Sequence, residues 1–480
     1  MASSLISVSD SLPTPRYSTV KLSPASKSLL RGLADRFLSF VKSYAEHFIS
    51  YRRDVSEKAR QYTSGFMQAG SRKNIYAISE VVPDTNDRNL QQFITHSKWS
   101  AREVLDHVAH DADELIGDAT DAALIIDESG FAKQGKMSVG ASRQYLGRLG
   151  KVDNGQVAVF GVLAKGRFAT AIDTRLYLPK EWTDDVERCN KAGIPDCEGV
   201  FKTKSQLALE IVEQARRNGV RFGWVGADAG YGSGPDFLFA LADAGHTFLI
   251  DVHKSFVIYE VNPQPRIQEP SSRGRKARRL ITGQKSLSVE QFVESCSTQD
   301  WRVYNVRETT RGSLKLRVLR KSVYVWDNRS EQARRYELLV TENMDGQDRK
   351  YSLTNQKPST STQRLSWMQR QRYWVERCFE DGKSQCGMAD YQLRLWNAWH
   401  HHMALVMMAM LFMLTERLRM KDQCPLLSCA DIQRLLAAFL PRRDASPEQV
   451  LSHMNRRHEM RRRAIESHAK RNAERRFKVT

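Results

Sequence analysis

The sequence predicts an α/β core that is split by a β-rich insertion and flanked by helical regions on both sides. Three observations carry this expectation. Between Asp121 and Val252, short apolar runs alternate with amphipathic helical stretches. From about His253 to Leu353, strand-like segments follow one another. Before and after these blocks, apolar residues recur every three or four positions, the period of a helix with one buried face. With 480 residues, 41% of them hydrophobic, the chain can bury several cores and is not disordered overall.

The elements follow in order. Residues 1–28 are rich in Ser and Thr, lack the apolar centre of a secretory signal, and read as a disordered tail, with an organellar transit peptide as the alternative. Residues 29–118 read as helical and carry Arg52, Arg53, Lys58, Arg60, Arg72 and Lys73, which suits a DNA-binding region as well as a dimerisation or packing region. The run Asp121–Asp127 (DAALIID) is a central strand, apolar on both faces and closed by a carboxylate. Ser129–Gln156 reads as a Gly- and Lys/Arg-rich loop holding Lys133, Lys136 and Arg143, and strands follow at Val157–Leu163 and Phe168–Leu178. Ser205–Asn218 is helical, with Leu207, Ile211 and Ala215 on one face and Gly219 as its stop. Phe222–Ala227 is again a strand closed by a carboxylate, Asp228; a helix at Asp236–Asp243 and a strand at Thr247–Val252 complete residues 119–252.

The insertion, residues 253–355, holds strands at Phe256–Val261, Arg302–Arg307, Leu314–Leu319, Val323–Trp326 and Tyr336–Thr341. Its basic loop contains Arg273, Arg275, Lys276, Arg278 and Arg279. Residues 356–420 are helical and close the core, and residues 421–480 form a basic helical region. Within the latter, Arg456–Lys478 sets ten Lys/Arg against Glu459, Glu466 and Glu474, as either a solvated helix or an arm on a DNA backbone.

A net charge of +19 and a pI near 9.6 favour a polyanionic partner, because each neutralised phosphate releases condensed counterions. Anionic membrane is the rival partner, but the longest apolar stretch, Met403–Leu414, is about half of what a bilayer needs and reads as a buried core helix. Seven cysteines without a CxxC pair point to reduced thiols in the cytosol. Cys424 and Cys429, with His400, His401 and His402 before them, fit no standard zinc-finger spacing.

The chemistry is carried by acids. If the strands ending in Asp127 and Asp228 are neighbours, both carboxylates meet at one sheet edge, where open α/β sheets place their sites. Glu128 then points to the opposite face. A helix over Gln363–Lys383 puts Arg372, Glu376 and Lys383 at i, i+4 and i+11 on one face, an acid between two bases, with Glu380 as the competing acid. Such a face suits metal coordination beside phosphate contacts, and equally an exposed helix with ordinary ion pairs.

The segments IIDESGFAKQGK, GADAGYG, RYWVERCFEDGK and GMADYQLRLWNAWHHHMAL resemble those of bacterial insertion-sequence transposases of the DDE superfamily. The similarity, from about residue 30 to 415, is to the group numbered seven hundred and one, related to the number-four group. It implies a ribonuclease H-like catalytic core with a β-rich insertion between the second Asp and the Glu. By position, Asp127, Asp228 and Glu376 would hold two Mg²⁺ or Mn²⁺ ions, the arrangement suited to phosphodiester hydrolysis and transesterification. Arg372 and Lys383 match the family's Arg four residues before the Glu and Lys seven after, which favours Glu376 over Glu380. Gln369 stands where number-four relatives carry a Tyr at the DNA end, and Tyr373 is a candidate replacement. Trp367 and Trp374 would either stack on a flipped base or pack in the core.

The resemblance further implies cut-and-paste transposition on double-stranded DNA, with terminal inverted repeats and target DNA as partners. Lys133, Lys136, Arg143, Arg273, Arg275 and Lys276 would track the backbone. A homodimer on DNA in the bacterial cytoplasm, associated with the nucleoid and not with membrane, completes the expectation. The alternatives are a ribonuclease H-like nuclease without strand transfer and a silent DNA-binding descendant of a transposase.

Overall fold

The computed structural model describes residues 31–50, 52–70, 72–267, 280–309, 312–444 and 446–477. The tail expected over residues 1–28 lies outside them, as does the basic loop with Arg273, Arg275, Lys276, Arg278 and Arg279.

Among the described residues five helices come first: α1 (Leu33–Ser43), α2 (Ser56–Gln68), α3 (Ile75–Val81), α4 (Asp87–His96) and α5 (Ala101–Ile116). The side chains of Asn74, Asn86 and Ser100 accept from backbone amides at the starts of α3, α4 and α5 and fix where these helices begin. In α1 the buried residues are Leu33, Ala34, Phe37 and Val41, one stripe at helical spacing. Of the basic residues in this region, Arg52, Arg53 and Arg72 are exposed. Lys73 is not available to DNA: it is 3% exposed and donates to the Ala69 carbonyl at 3.2 Å.

One ten-stranded mixed sheet forms the centre. Its strands are β1 (Asp118–Ala132), β2 (Ser142–Leu146), β3 (Lys151–Lys165), β4 (Phe168–Leu176), β5 (Phe222–Ala227), β6 (Phe248–Val252), β7 (Trp301–Thr309), β8 (Gly312–Val325), β9 (Arg334–Glu342) and β10 (Lys350–Thr354). Their order is β7-β8-β9-β10-β6-β5-β1-β3-β2, with β4 also paired to β3. β1 runs antiparallel to β3 but parallel to β5, and β5 is parallel to β6. Apolar runs on β1, β5 and β6 are buried because helices cover the sheet, as parallel strands require.

One expectation is corrected here. β1 does not stop at Asp127 but continues to Ala132, and most of the supposed loop from Ser129 to Gln156 is strand. Pairing explains it: Asp127↔Phe160 through Ala132↔Gly155 satisfy the backbone of a segment whose Gly-rich composition reads as a loop. The strands of the β-rich segment, β7 to β10, join the central sheet. β10 pairs antiparallel with β6, Tyr351 opposite Val252, so they lengthen the central sheet.

Helices α6 (Lys204–Arg217) and α7 (Pro235–Asp243) connect the parallel strands. A capping box between Thr203 and Gln206 starts α6. After β10 come α8 (Thr362–Gln371), α9 (Tyr373–Gln385), α10 (Trp396–Arg419), α11 (Cys429–Phe439) and α12 (Pro447–Phe477). The single helix expected over Gln363–Lys383 is therefore two, which abut at Arg372. α10 is longer than its apolar stretch indicated; by length and composition it could cross a membrane, yet 89% of its most apolar window is buried within the protein. It packs against α4, α5 and β4. His401 and His402 are buried on it, His401 with its ring nitrogens 2.9 Å from the Ile94 and Trp99 carbonyls. The basic segment from Arg456 lies on α12, an exposed helix with internal pairs such as Arg463 to Glu459 at 3.0 Å.

Candidate active site

Register builds the site. Ile126 pairs with Ala227, and Ala227 with Ile250, across three neighbouring parallel strands. The next residue on each is an aspartate: Asp127, Asp228 and Asp251. Since side chains alternate along a strand, three residues at one register share one face. Glu128 consequently turns away, and it pairs with Lys204 at 2.5 Å.

Gly232 explains how the turn after Asp228 comes so close to β6. A Cβ there would lie 2.1 Å from the Asp251 carbonyl oxygen, so only glycine fits. The Asp228 carboxylate accepts from the Gly230 amide at 3.0 Å, and Asp127 from the Glu128 amide at 2.7 Å.

The acids converge on one cation. Arg372, at the junction of α8 and α9, is 3.0 Å from Glu376, 3.3 Å from Asp127 and 3.7 Å from Asp251. Burial acts to lower the Arg372 pKa, but Asp127, Asp251 and Glu376 outweigh it and hold the guanidinium charged. Burial, and then the neighbouring Asp228 carboxylate, push Asp127 up to about 7. Burial also raises Asp251. Glu376 is mostly exposed on the first turn of α9, and the competing Glu380 is paired with Arg377 at 2.9 Å. Lys383 lies 5.7 Å from the Phe131 ring centre on β1.

Would divalent cations fit here? The donors are carboxylate oxygens, the ligands that Mg²⁺ and Mn²⁺ prefer. The raised pKa of Asp127, caused first by burial and then by the Asp228 carboxylate, marks an acid whose charge is under-compensated. The Tyr231 hydroxyl, within the field of Glu128, Asp127 and Asp228, is buried without a hydrogen-bond partner. Both observations fit a cation held by Asp127, Asp228 and Glu376. The groups of His and acid side chains whose ligand atoms lie within 4.8 Å of one another, among the described residues, are elsewhere, around His47 and His110.

Asp251 is the member that sequence reasoning missed. Its signal was present, since Phe248–Asp251 (FLID) is a third apolar run closed by Asp. A hydrogen-bonded chain supports it from behind. Thr341 donates to the Gln369 side-chain oxygen, Gln369 Nε2 donates to Ser352 Oγ at 2.7 Å, and Ser352 donates to Asp251. Gln369 is only 4% exposed, so this side chain faces the sheet and not a DNA end. Installing the relatives' tyrosine by Gln369→Tyr should therefore overpack the site and destabilise the protein by about 1–3 kcal/mol, measured by denaturant unfolding.

The remaining expected residues divide. Lys133 is drawn inward: its ammonium sits 3.3 Å from the Tyr391 ring centre and donates to the Tyr391 carbonyl, and burial pulls it down to about 7. Its ammonium is thus held by Tyr391 and not presented outward. Lys136 and Arg143 are exposed. Trp367 packs edge-on against Trp224 at 5.5 Å and beneath the Arg364 guanidinium. Trp374 and the more exposed Tyr373 lie under Arg307, at 5.6 and 4.7 Å.

A protein from Microchaete diplosiphon, described as "Probable transposase for insertion sequence element IS701", is 28% identical over 236 residues. That alignment covers 48% of this chain and 58% of the relative's own length. The model of the DDE superfamily endonuclease family matches residues 44–313, over half of the chain, a span that includes Asp127, Asp228 and Asp251 and ends before Glu376. The chain belongs to the DDE endonuclease superfamily.

Proposed function

We propose that this protein is a cut-and-paste DNA transposase, which cleaves at the ends of an insertion sequence and joins the freed 3′-hydroxyl to target DNA. The observation that carries the reading is the shared register of Asp127 and Asp228 on adjacent parallel strands, with Glu376 tied to Asp127 through Arg372. The superfamily uses divalent metals. Two such ions bound by Asp127, Asp228 and Glu376 would supply Lewis acidity at the attacking and leaving oxygens.

The chain's own residues set the stage. Asp127 and Asp228 fix two ligand directions from a rigid sheet edge, and Glu376 brings the third from a helix. Arg372 shares its charge among these acids; Asp251, supported by Ser352 and Gln369, keeps the guanidinium in place when Asp127 and Glu376 turn to cations. From there Arg372, with Lys383, faces the phosphates of the cut end. Lys136, Arg143 and the exposed arginines of residues 29–118 and of α12 provide the backbone contacts, and two ends are joined by a homodimer on the DNA. Residues 253–355 serve as the family's insertion between the second Asp and the Glu.

The test uses DNA carrying the element's terminal inverted repeats, a target duplex and Mg²⁺. Cleaved ends and joined products are expected from the wild type, and neither from Glu376→Gln. Cutting by Glu376→Gln at the wild-type rate would overturn the metal assignment. Cleavage by the wild type without joined product would make the protein a nuclease instead.

A further inference from the structure

A second cluster of ligand-type side chains lies in the N-terminal helical region and takes no part in the chemistry above. The turn after α1, Ala45–Phe48, carries Glu46 and His47, and α5 carries His107. His47 Nε2 and His107 Nδ1 face each other at 2.7 Å. Glu46 brings a carboxylate oxygen within 4.8 Å of a ring nitrogen of each histidine. Two imidazole nitrogens aimed at one point, with an acid beside them, form the donor set of a tetrahedral site that keeps one position open.

The far side of His107 is built as well. Its Nε2 lies 3.4 Å from Asp111 Oδ1, one helical turn along α5. Asp111 in turn accepts a hydrogen bond from the Tyr44 hydroxyl at 2.6 Å, and the Tyr44 ring stacks on the His107 ring at 4.2 Å and 22°. A carboxylate behind the ligating imidazole fixes its tautomer and leaves Nδ1 as the lone pair that faces the site. By contrast, the neighbouring group of His110, Asp111 and Glu114 has two strongly exposed members and no such backing.

We propose that His47 Nε2, His107 Nδ1 and the Glu46 carboxylate bind one zinc-class transition-metal ion, with Asp111 as the outer carboxylate. Imidazole nitrogen selects this class against Mg²⁺, which demands oxygen ligands. Zinc–nitrogen bonds of about 2.0–2.1 Å in tetrahedral geometry separate the two nitrogens by roughly 3.3 Å, so from 2.7 Å the rings must part by roughly 0.6 Å. The ion would pin the turn after α1 to α5, the helix that leads through Gly117 into β1 and Asp127.

The experiment is a Zn²⁺ titration of the full, metal-stripped chain by calorimetry and thermal melting, with excess Mg²⁺ present to satisfy the acids at the sheet edge. One tight equivalent and a rise in melting temperature are expected, and Co²⁺ in its place should show the visible bands of a tetrahedral site. Glu46 is exposed, so Glu46→Gln should fold normally and still lower the affinity at least tenfold. His107→Gln should lose the tight equivalent, and Asp111→Asn should weaken it about 10–100-fold. A wild type without a tight equivalent would overturn the proposal and leave a hydrogen-bonded histidine pair. So would Glu46→Gln and His107→Gln proteins that bind Zn²⁺ as tightly as the wild type.

Discussion

Asp127→Asn should lower Mg²⁺-dependent DNA cleavage by about three orders of magnitude or more, and yet raise the melting temperature of the metal-free protein at pH 8. The first effect comes from removing a charged ligand that helps place several kcal/mol of transition-state stabilisation. The second comes from linkage. The folded-state pKa of Asp127, about 7, lies above its ordinary value of 3.8, so the native state holds a proton that the unfolded chain has lost between those limits. Stability contributed by this group therefore falls as pH rises from about 4 to 7, and its full cost is present above 7. Asparagine removes that cost, worth about 1–3 kcal/mol once water access is allowed for, and has little effect at pH 4. Melts at the two pH values without metal provide the check; a variant less stable than wild type at pH 8 would refute the cost of burying this carboxylate beside Asp228.

Arg372→Ala should act in the opposite direction. Without the guanidinium, Asp127 and Asp251 remain as nearly buried acids with their shared cation gone, and breaking such a pairing typically costs about 3–5 kcal/mol. The loss should be greatest at pH 8 and smaller at pH 5, where both acids take up protons more readily. Saturating Mg²⁺ should restore much of the stability and little of the activity, because a cation can neutralise the acids but cannot replace a guanidinium on phosphate. Arg372→Lys should retain the charge and lose the geometry, with intermediate stability and weak DNA-end binding. Equal melting curves for Arg372→Ala and wild type at pH 8 would show that Arg372 does not hold the acids.

How much of this was legible in the sequence depended on distance along the chain. Asp127 and Asp228 could be read because each closes an apolar run that must be a buried strand. Asp251 closes a third such run, but its place depends on β6 lying beside β5 in register, a fact that no local pattern contains. The same holds for β1, whose Gly-rich continuation is strand only because β3 pairs with it. Spacing put Arg372 and Glu376 together, and they pair although the helix breaks at Arg372. Charge counting could not show that the ammonium groups of Lys73 and Lys133 are turned inward to carbonyl oxygens. A sequence reveals that a lysine is present, not which way its long side chain leans.

The junction between β10 and β6 has a consequence for the chain as a folding unit. Residues 253–355 cannot be an independent module hung on a finished core. If they were cut out, β6 would become the outermost strand, presenting an unpaired row of amides and carbonyls to any other chain. The last of the three aspartate-bearing strands is guarded by a segment synthesised after it, so a nascent chain that has reached only Val252 still has an open flank beside its acids. Completion of that flank waits for about a hundred more residues, and only after them does the chain supply Glu376.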